Sequence, residues 1–242
     1  DNGRGSRSGV RRWGGGIPVS ADAWAVLRGA QTAPSCFDKA SVAGDGIQLG
    51  NAATGGTLTA SGGGRISLIG DSFSHVDTAG AAKLVTTGVV EIAPLSTTVA
   101  MSLGGSTNPV RIDSTLLGNI SAGTLIAGSY LGGGTTITAA NVLLDGNVGT
   151  STLLISTLGS VSQTTGSVTV TGLGINAVNA SDLAGPNAIG TPAVALTGSS
   201  QGITVHNTAP SMKVDTWAGG TGNRRKQAPA SPTLPTAGQI PS

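Results

Sequence analysis

Short apolar stretches alternate with Ser, Thr and Gln through most of the chain, and Gly, Asn, Asp or Ser closes nearly every one. The alternation is densest over residues 132–171, where runs recur at 136–139, 142–144, 152–156, 160–162 and 167–171. Runs rich in β-branched residues and cut by Gly, Asn or Asp predict short strands separated by turns. Within a strand, alternation places side chains on opposite faces. Ile47 and Leu49, Leu58 and Ala60, and Val168 and Val170 are therefore expected inward, with Gln48, Thr59 and Thr169 outward.

The same texture extends beyond the central block. It runs through GIQLG (46–50), GGTLTAS (55–61), GGRISLIG (63–70), AKLVTTG (82–88), GVVEIAP (88–94), TTVAMSLGG (97–105), VRIDS (110–114) and GTLIAG (123–128). It returns in AVALTG (193–198) and GITVHN (202–207). GRISLI from Gly64 and GVVEIA from Gly88 align with an offset of 24 residues. Two or three short strands fit a coil of about 20–24 residues, the signature of a β-helix. Asn51, Asn119, Asn147, Asn176 and Asn207 fall at expected corners, where a left-handed backbone is tolerated. Residues 172–192, with Pro186 and Pro192, read as an irregular coil or loop.

Composition supports a layered β core. Among 242 residues there are 40 Gly, 10% are charged and only 2% aromatic, yet 38% are hydrophobic. Disorder requires low hydrophobicity or high net charge, and neither holds for the whole chain. Small aliphatics without large aromatic anchors suit thin stacked layers, in which each coil packs on the next.

Charge divides the chain into three parts. Arg4, Arg7, Arg11, Arg12, Arg28 and Lys39 lie in 1–39, and Lys213, Arg224, Arg225 and Lys226 near the other end. Between them stand only Arg65, Lys83 and Arg111, with Asp45, Asp71, Asp77, Glu91, Asp113, Asp145 and Asp182. The sequence pI near 9.0 thus describes the flanks and not the repetitive part. It does not point to nucleic acid as a partner. The expected organisation is an atypical basic flank over 1–43, a β-helical region over 44–208 and a Pro-rich disordered tail over 209–242. The first flank is irregular and disordered on this reading, or else a cap on the solenoid. Its stretch 21–27 (ADAWAVL) has helical character, with Ser20 as N-cap.

Cys36 is the only cysteine, so no intrachain disulfide forms. No apolar run approaches the ~20 residues of a membrane-spanning helix. The opening DNGRGSRSGVRR has no signal-peptide pattern and reads as the interior of something longer.

ISTLGSVSQTTGSVTVTG with NAIGT, TTGVVEIAP and GTLIAG resembles the degenerate repeats of filamentous-haemagglutinin-like exoproteins, the large surface adhesins that bacteria export by two-partner secretion or as autotransporter passengers. The similarity covers roughly 44–208 and excludes both flanks; the family's secretion domain has no visible counterpart. It implies an all-β, right-handed parallel β-helix, passage through outer-membrane secretion machinery, and a role in attachment at the bacterial cell surface. The implied partners are receptors or glycans on host or neighbouring cells. Neither catalytic residues nor a cofactor or metal are expected.

The rival reading is an enzyme on the same fold, either carbohydrate-active or an esterase using Ser72. In ISLIGDSFSHVDT (66–78), Gly70-Asp71-Ser72 resembles the nucleophile block of GDSL esterases. Such a Ser needs a His base oriented by an Asp. The histidines are His75 and His206; Ile203 stands where that family's late Asp-x-x-His motif places its Asp, and no Gly-x-Asn-Asp block follows. A carbohydrate-cleaving site needs paired carboxylates, and the middle of the chain offers Tyr130 and Phe73 as its only larger rings. His75 and Asp77 share one strand face but make only two metal ligands. Thr-x-Thr at Thr57/Thr59, Thr136/Thr138 and Thr169/Thr171 is read as solvent-facing strand, and Arg224-Arg225-Lys226 as a solvated flank.

Overall fold

A computed structural model of the chain describes residues 16–19, 24–27, 29–33, 35–39, 46–49, 56–75, 83–130, 136–196 and 202–209, with the backbone alone for 16–39, 56 and 191–196. These residues are mostly strand, and every ladder but one is parallel. The first ladder stacks Gly16–Val19, Ser35–Lys39, Arg65–Ile69, Val89–Ala93, Thr124–Ala127, Val148–Thr157, Val168–Ala177 and the second half of Ser181–Leu196. A second ladder runs Trp24–Leu27, Gly46–Leu49, Ser72–His75, Val110–Asp113, Met101–Gly104, Val142–Asp145, Val161–Thr165, the start of Ser181–Leu196 and Ile203–Asn207. A third holds Gly29–Ala33, Gly56–Ala60, Lys83–Val85 and Ile120–Ser121. Ser181–Leu196 belongs to both longer ladders, which therefore join into a nearly closed, barrel-like parallel sheet with a seam. This is the arrangement compatible with an all-β parallel solenoid.

The alternation read from the sequence becomes columns of stacked side chains. Ile66, Val90, Leu125, Leu153 and Leu173 are registered partners in turn, and so are Leu68, Ile92, Ala127, Ile155 and Ile175. On the second ladder Phe73, Val110, Met101, Val142 and Val161 form the equivalent column. All are buried in one continuous core. Burial of each large aliphatic is worth about 1.5–3 kcal/mol relative to exposure, so the columns supply the cohesion that the missing aromatics cannot.

The 24-residue offset between Gly64 and Gly88 is the structural register: Arg65 pairs with Val89 and Ile69 with Ala93. Steps later in the chain tighten to 20 residues, as Val148 pairs with Val168. Residues 172–192, expected as an irregular coil or loop, lie largely within the strands Val168–Ala177 and Ser181–Leu196. The prolines fit because Pro186 falls in the register shift between Leu183 and Asn187. Pro192 pairs only with Leu173, on an edge that no other described strand covers, where a missing N–H costs no ladder bond.

Among the described residues the first strand is Gly16–Val19, inside the stretch set apart as a basic flank. Trp24–Leu27 is a strand paired with Gly46–Leu49, where helical turns were expected over 21–27. Pairing with a parallel neighbour here outweighs a modest helical propensity. Ser20 and residues 21–23 lie outside the described residues, as do 1–15 and 210–242.

One segment departs from simple stacking. Met101–Gly104 precedes Val110–Asp113 in sequence but sits beyond it in the ladder, between Val110–Asp113 and Val142–Asp145. The return is fixed by Asn108, whose Nδ2 donates to the Met101 carbonyl at 3.2 Å and to Ser102 Oγ at 3.0 Å. The chain then forms a short helix, Ser114–Gly118, capped by Asp113.

Candidate functional site

The Gly70-Asp71-Ser72 string forms a corner. Asp71 is buried, and its carboxylate accepts from the Ser96 amide at 2.7 Å through Oδ1 and from the Ser96 hydroxyl through Oδ2. It thereby ties its coil to the turn that follows Val89–Ala93. Ser72 is a half-buried strand residue registered with Gly46. His75, three residues further along the same strand, stands on the opposite side of the pleat from Ser72. Its Nε2 lies 2.8 Å from Asp113 Oδ2. His206 is exposed on Ile203–Asn207 and contributes its carbonyl to a structural bond described below. The sequence-nominated Ser and His are therefore near neighbours that point apart.

Asp113 divides its two oxygens. Oδ1 accepts from the Thr115 and Leu116 amides at 3.1 and 3.0 Å, capping the helix, while Oδ2 faces His75. Burial by itself pushes the Asp113 carboxyl up. The Leu116 amide, the His75 hydrogen bond and charge, and the Thr115 amide together outweigh burial and hold it below the usual carboxylate value.

Two further carboxylates among the described residues are also engaged. Glu91, fully buried, accepts from Ser67 Oγ at 2.6 Å and lies 3.4 Å from Arg65 Nε. Asp145 Oδ2 accepts from the Thr107 amide at 3.1 Å. Among the described residues no three His, Cys, Asp or Glu side chains gather in a metal-binding group; Asp77 lies outside them. No helix among them is long and apolar enough to cross a membrane.

The most elaborate polar cluster was not anticipated. Asn187 is fully buried between coils, and its Oδ1 accepts from the Val168 amide at 2.8 Å and from Gln163 Nε2 at 3.0 Å. Its Nδ2 lies within donating distance of Gln163 Oε1, the Leu183 carbonyl and the His206 carbonyl. Asn147 and Asn207 do related work on other coils: Asn147 Oδ1 accepts from the Ser167 amide, and Asn207, the registered partner of Asn187, accepts through Oδ1 from the Ile189 amide. These asparagines act through their side-chain amides, bracketing the backbone of an adjacent coil. Asn119, expected to tolerate a left-handed corner, has φ −105° and closes the short helix instead. The signal available in the sequence was the recurrence of Asn at 147, 187 and 207.

Thr150, Ser151, Thr169, Val170 and Thr171 line a shallow depression. Thr169 and Thr171 are exposed, Thr57, Thr59 and Thr136 are half-buried, and Thr138 departs from the solvent-facing reading. Thr138 is buried and donates to the Pro94 carbonyl at 2.6 Å, tying Thr136–Ile137 and the residues that follow to the preceding coil. Tyr130 packs with Ile69 and Ala93 in a small second cluster.

The chain matches no family model, no curated protein and no solved structure.

Proposed function

We propose that this chain is a segment of a secreted, cell-surface adhesin, wound as a right-handed parallel β-helix and serving as a rigid stalk or display surface for attachment. The reading rests on one observation above the rest: residues far apart in sequence stack rung on rung through parallel ladders, with aliphatic columns inside. Such a body gains length by adding coils, each held by its neighbours. Thr, Ser and Asn outside give weak contacts that become useful in many copies. The repeat-like runs ISTLGSVSQTTGSVTVTG and GTLIAG support the same reading by resemblance.

The test is multivalent binding. Beads carrying many copies of the chain are expected to adhere to animal or bacterial cell surfaces, while the free monomer binds weakly. Absence of adhesion, together with ester or polysaccharide turnover that disappears in Ser72→Ala, would replace this function with an enzymatic one.

A further inference from the structure

Over residues 188–196, the strand Ser181–Leu196 pairs with Val168–Ala177 on one side, and no other described strand lies on the other. The chain comes back to the start of this edge at its last described residues. Asn207 is the registered partner of Asn187, a step of 20 residues. Thr208 donates to the Asn187 carbonyl through its amide at 2.7 Å and its hydroxyl at 2.9 Å, and Asn207 Oδ1 accepts from the Ile189 amide. One coil earlier, Asn187 Oδ1 accepts from the Val168 amide in the same way, and the residues after Asn187 form the next rung.

We propose that residues 211–217, read from composition as part of a disordered tail, dock on this edge as a further parallel rung. Carried forward from Asn187 and Asn207, the step of 20 sets Met212 opposite Pro192, Val214 opposite Val194 and Thr216 opposite Leu196. Those positions are registered with Leu173, Ile175 and Ala177, all buried in the core. The register therefore puts Met212 and Val214 on the inward side, and Lys213 and Asp215 on the outward side. A slip of one residue either way would turn Lys213 and Asp215 toward the core as buried charges.

Trp217 supplies a second reason. One residue beyond Thr216, it falls on the corner that carries Leu158 and Val178, each one residue beyond the registered pair Thr157 and Ala177. Leu158 and Val178 are the large hydrophobics exposed among the described residues, at 40% and 36%. Tyr130 holds the same corner lower in the stack, three residues beyond Ala127 as Leu158 is three beyond Ile155. There it packs on Ile69 and Ala93 of the coils beneath. A Trp217 ring laid down the corner covers Val178 in the same manner. Pro192 offers the edge no N–H, so the rung is held by its side chains more than by its ladder.

Cysteine scanning of the full chain in a Cys36→Ser background is the test, with Thr169→Cys as the exposed reference. Met212→Cys and Val214→Cys should react with a soluble maleimide at least about tenfold more slowly than Lys213→Cys and Asp215→Cys. Adding Trp217→Ser to a Val178→Cys variant should speed its labelling. In the chain without substitutions, amides of 211–217 should exchange more slowly than their intrinsic rates. Fast labelling at all four positions, with unprotected amides, overturns the docking. Slow labelling at Lys213→Cys and Asp215→Cys with fast labelling at the other two overturns the register. Protection that appears only as the chain is concentrated gives the edge to a second copy and overturns the assignment to 211–217.

Discussion

Gln163 and Asn187 meet through both ends of their side-chain amides, each donating to the other's oxygen at 3.0 Å. The pair bridges adjacent coils, and Asn187 extends the link to the Val168 amide on one side and to the His206 carbonyl on the other. A buried amide satisfied in this way fixes one register, because sliding a strand by a residue would orphan every member.

Removing Asn187 should therefore be costly. Asn187→Ala leaves the Val168 N–H buried without a partner, an orphaned group that costs about 1–3 kcal/mol, and removes two bonds from Gln163, whose amide keeps the Gly166 carbonyl and the Gly185 N–H. We expect a loss of about 2 kcal/mol or more in urea unfolding. Gln163→Ala should cost less, because Gln163 is only half-buried. A double-mutant cycle should give a coupling of at least about 0.5 kcal/mol; strict additivity would mean that the pair is incidental.

Val168 is fully buried and Thr169 exposed, so the two sides of one strand should respond oppositely. Val168→Asp places an unpaired charge in the core and should cost several kcal/mol. Thr169→Asp should fall within about 0.5 kcal/mol of the parent. Thermal melts of the two variants distinguish them, and a reversed order would shift the register by one residue.

Two glycines make a sharper contrast. A Cβ on Gly88 would fall 2.1 Å from the Gly63 carbonyl oxygen, closer than any neighbour permits. Gly149 has open space at the same position and no positive φ. Gly88→Ala should unseat the corner and lower the melting temperature. Gly149→Ala should leave stability equal or raise it by about 0.4–1 kcal/mol, through the unfolded chain.

Acid should weaken the second ladder. The folded-state value of Asp113 lies below its reference of 3.8. Its contribution is thus fully present above that reference and is lost as pH falls through the lowered folded value. Stability measured from about pH 5 downward should fall, and Asp113→Asn should flatten part of that fall. An unchanged acid limb in the variant would remove Asp113 from the account.

The inward columns could be read from alternation alone, because period two is set by the strand itself: Ile47, Leu49, Leu58, Val168 and Val170 are all buried as expected. The Gly64–Gly88 offset was readable because both strands carry the same Gly-led apolar run in register. Coil lengths elsewhere were hidden by departures such as the doubled-back 101–113, which pairs locally. The asparagines escaped notice for a different reason. They share a hydrogen-bonding task rather than a sequence motif, and the register slips between them: Asn147 meets Ser167, whereas Asn187 meets Val168. The GDS string misled in the opposite way, since a corner carboxylate and a strand Ser reproduce three letters of a nucleophile block without its geometry.

The stacked register can be measured as a distance. In a Cys36→Ser background, spin labels at Arg65 and Gly172 are separated by four rungs: Arg65 to Val89, Val89 to Thr124, Thr124 to Thr152 by continuation of the Leu125–Leu153 register, and Thr152 to Gly172. At about 4.8 Å per rung the backbones lie about 19 Å apart. Double electron–electron resonance should give one narrow distribution near that value, widened only by the label linkers. A broad distribution, or a maximum beyond about twice that distance, would contradict the parallel stack on which the rest depends.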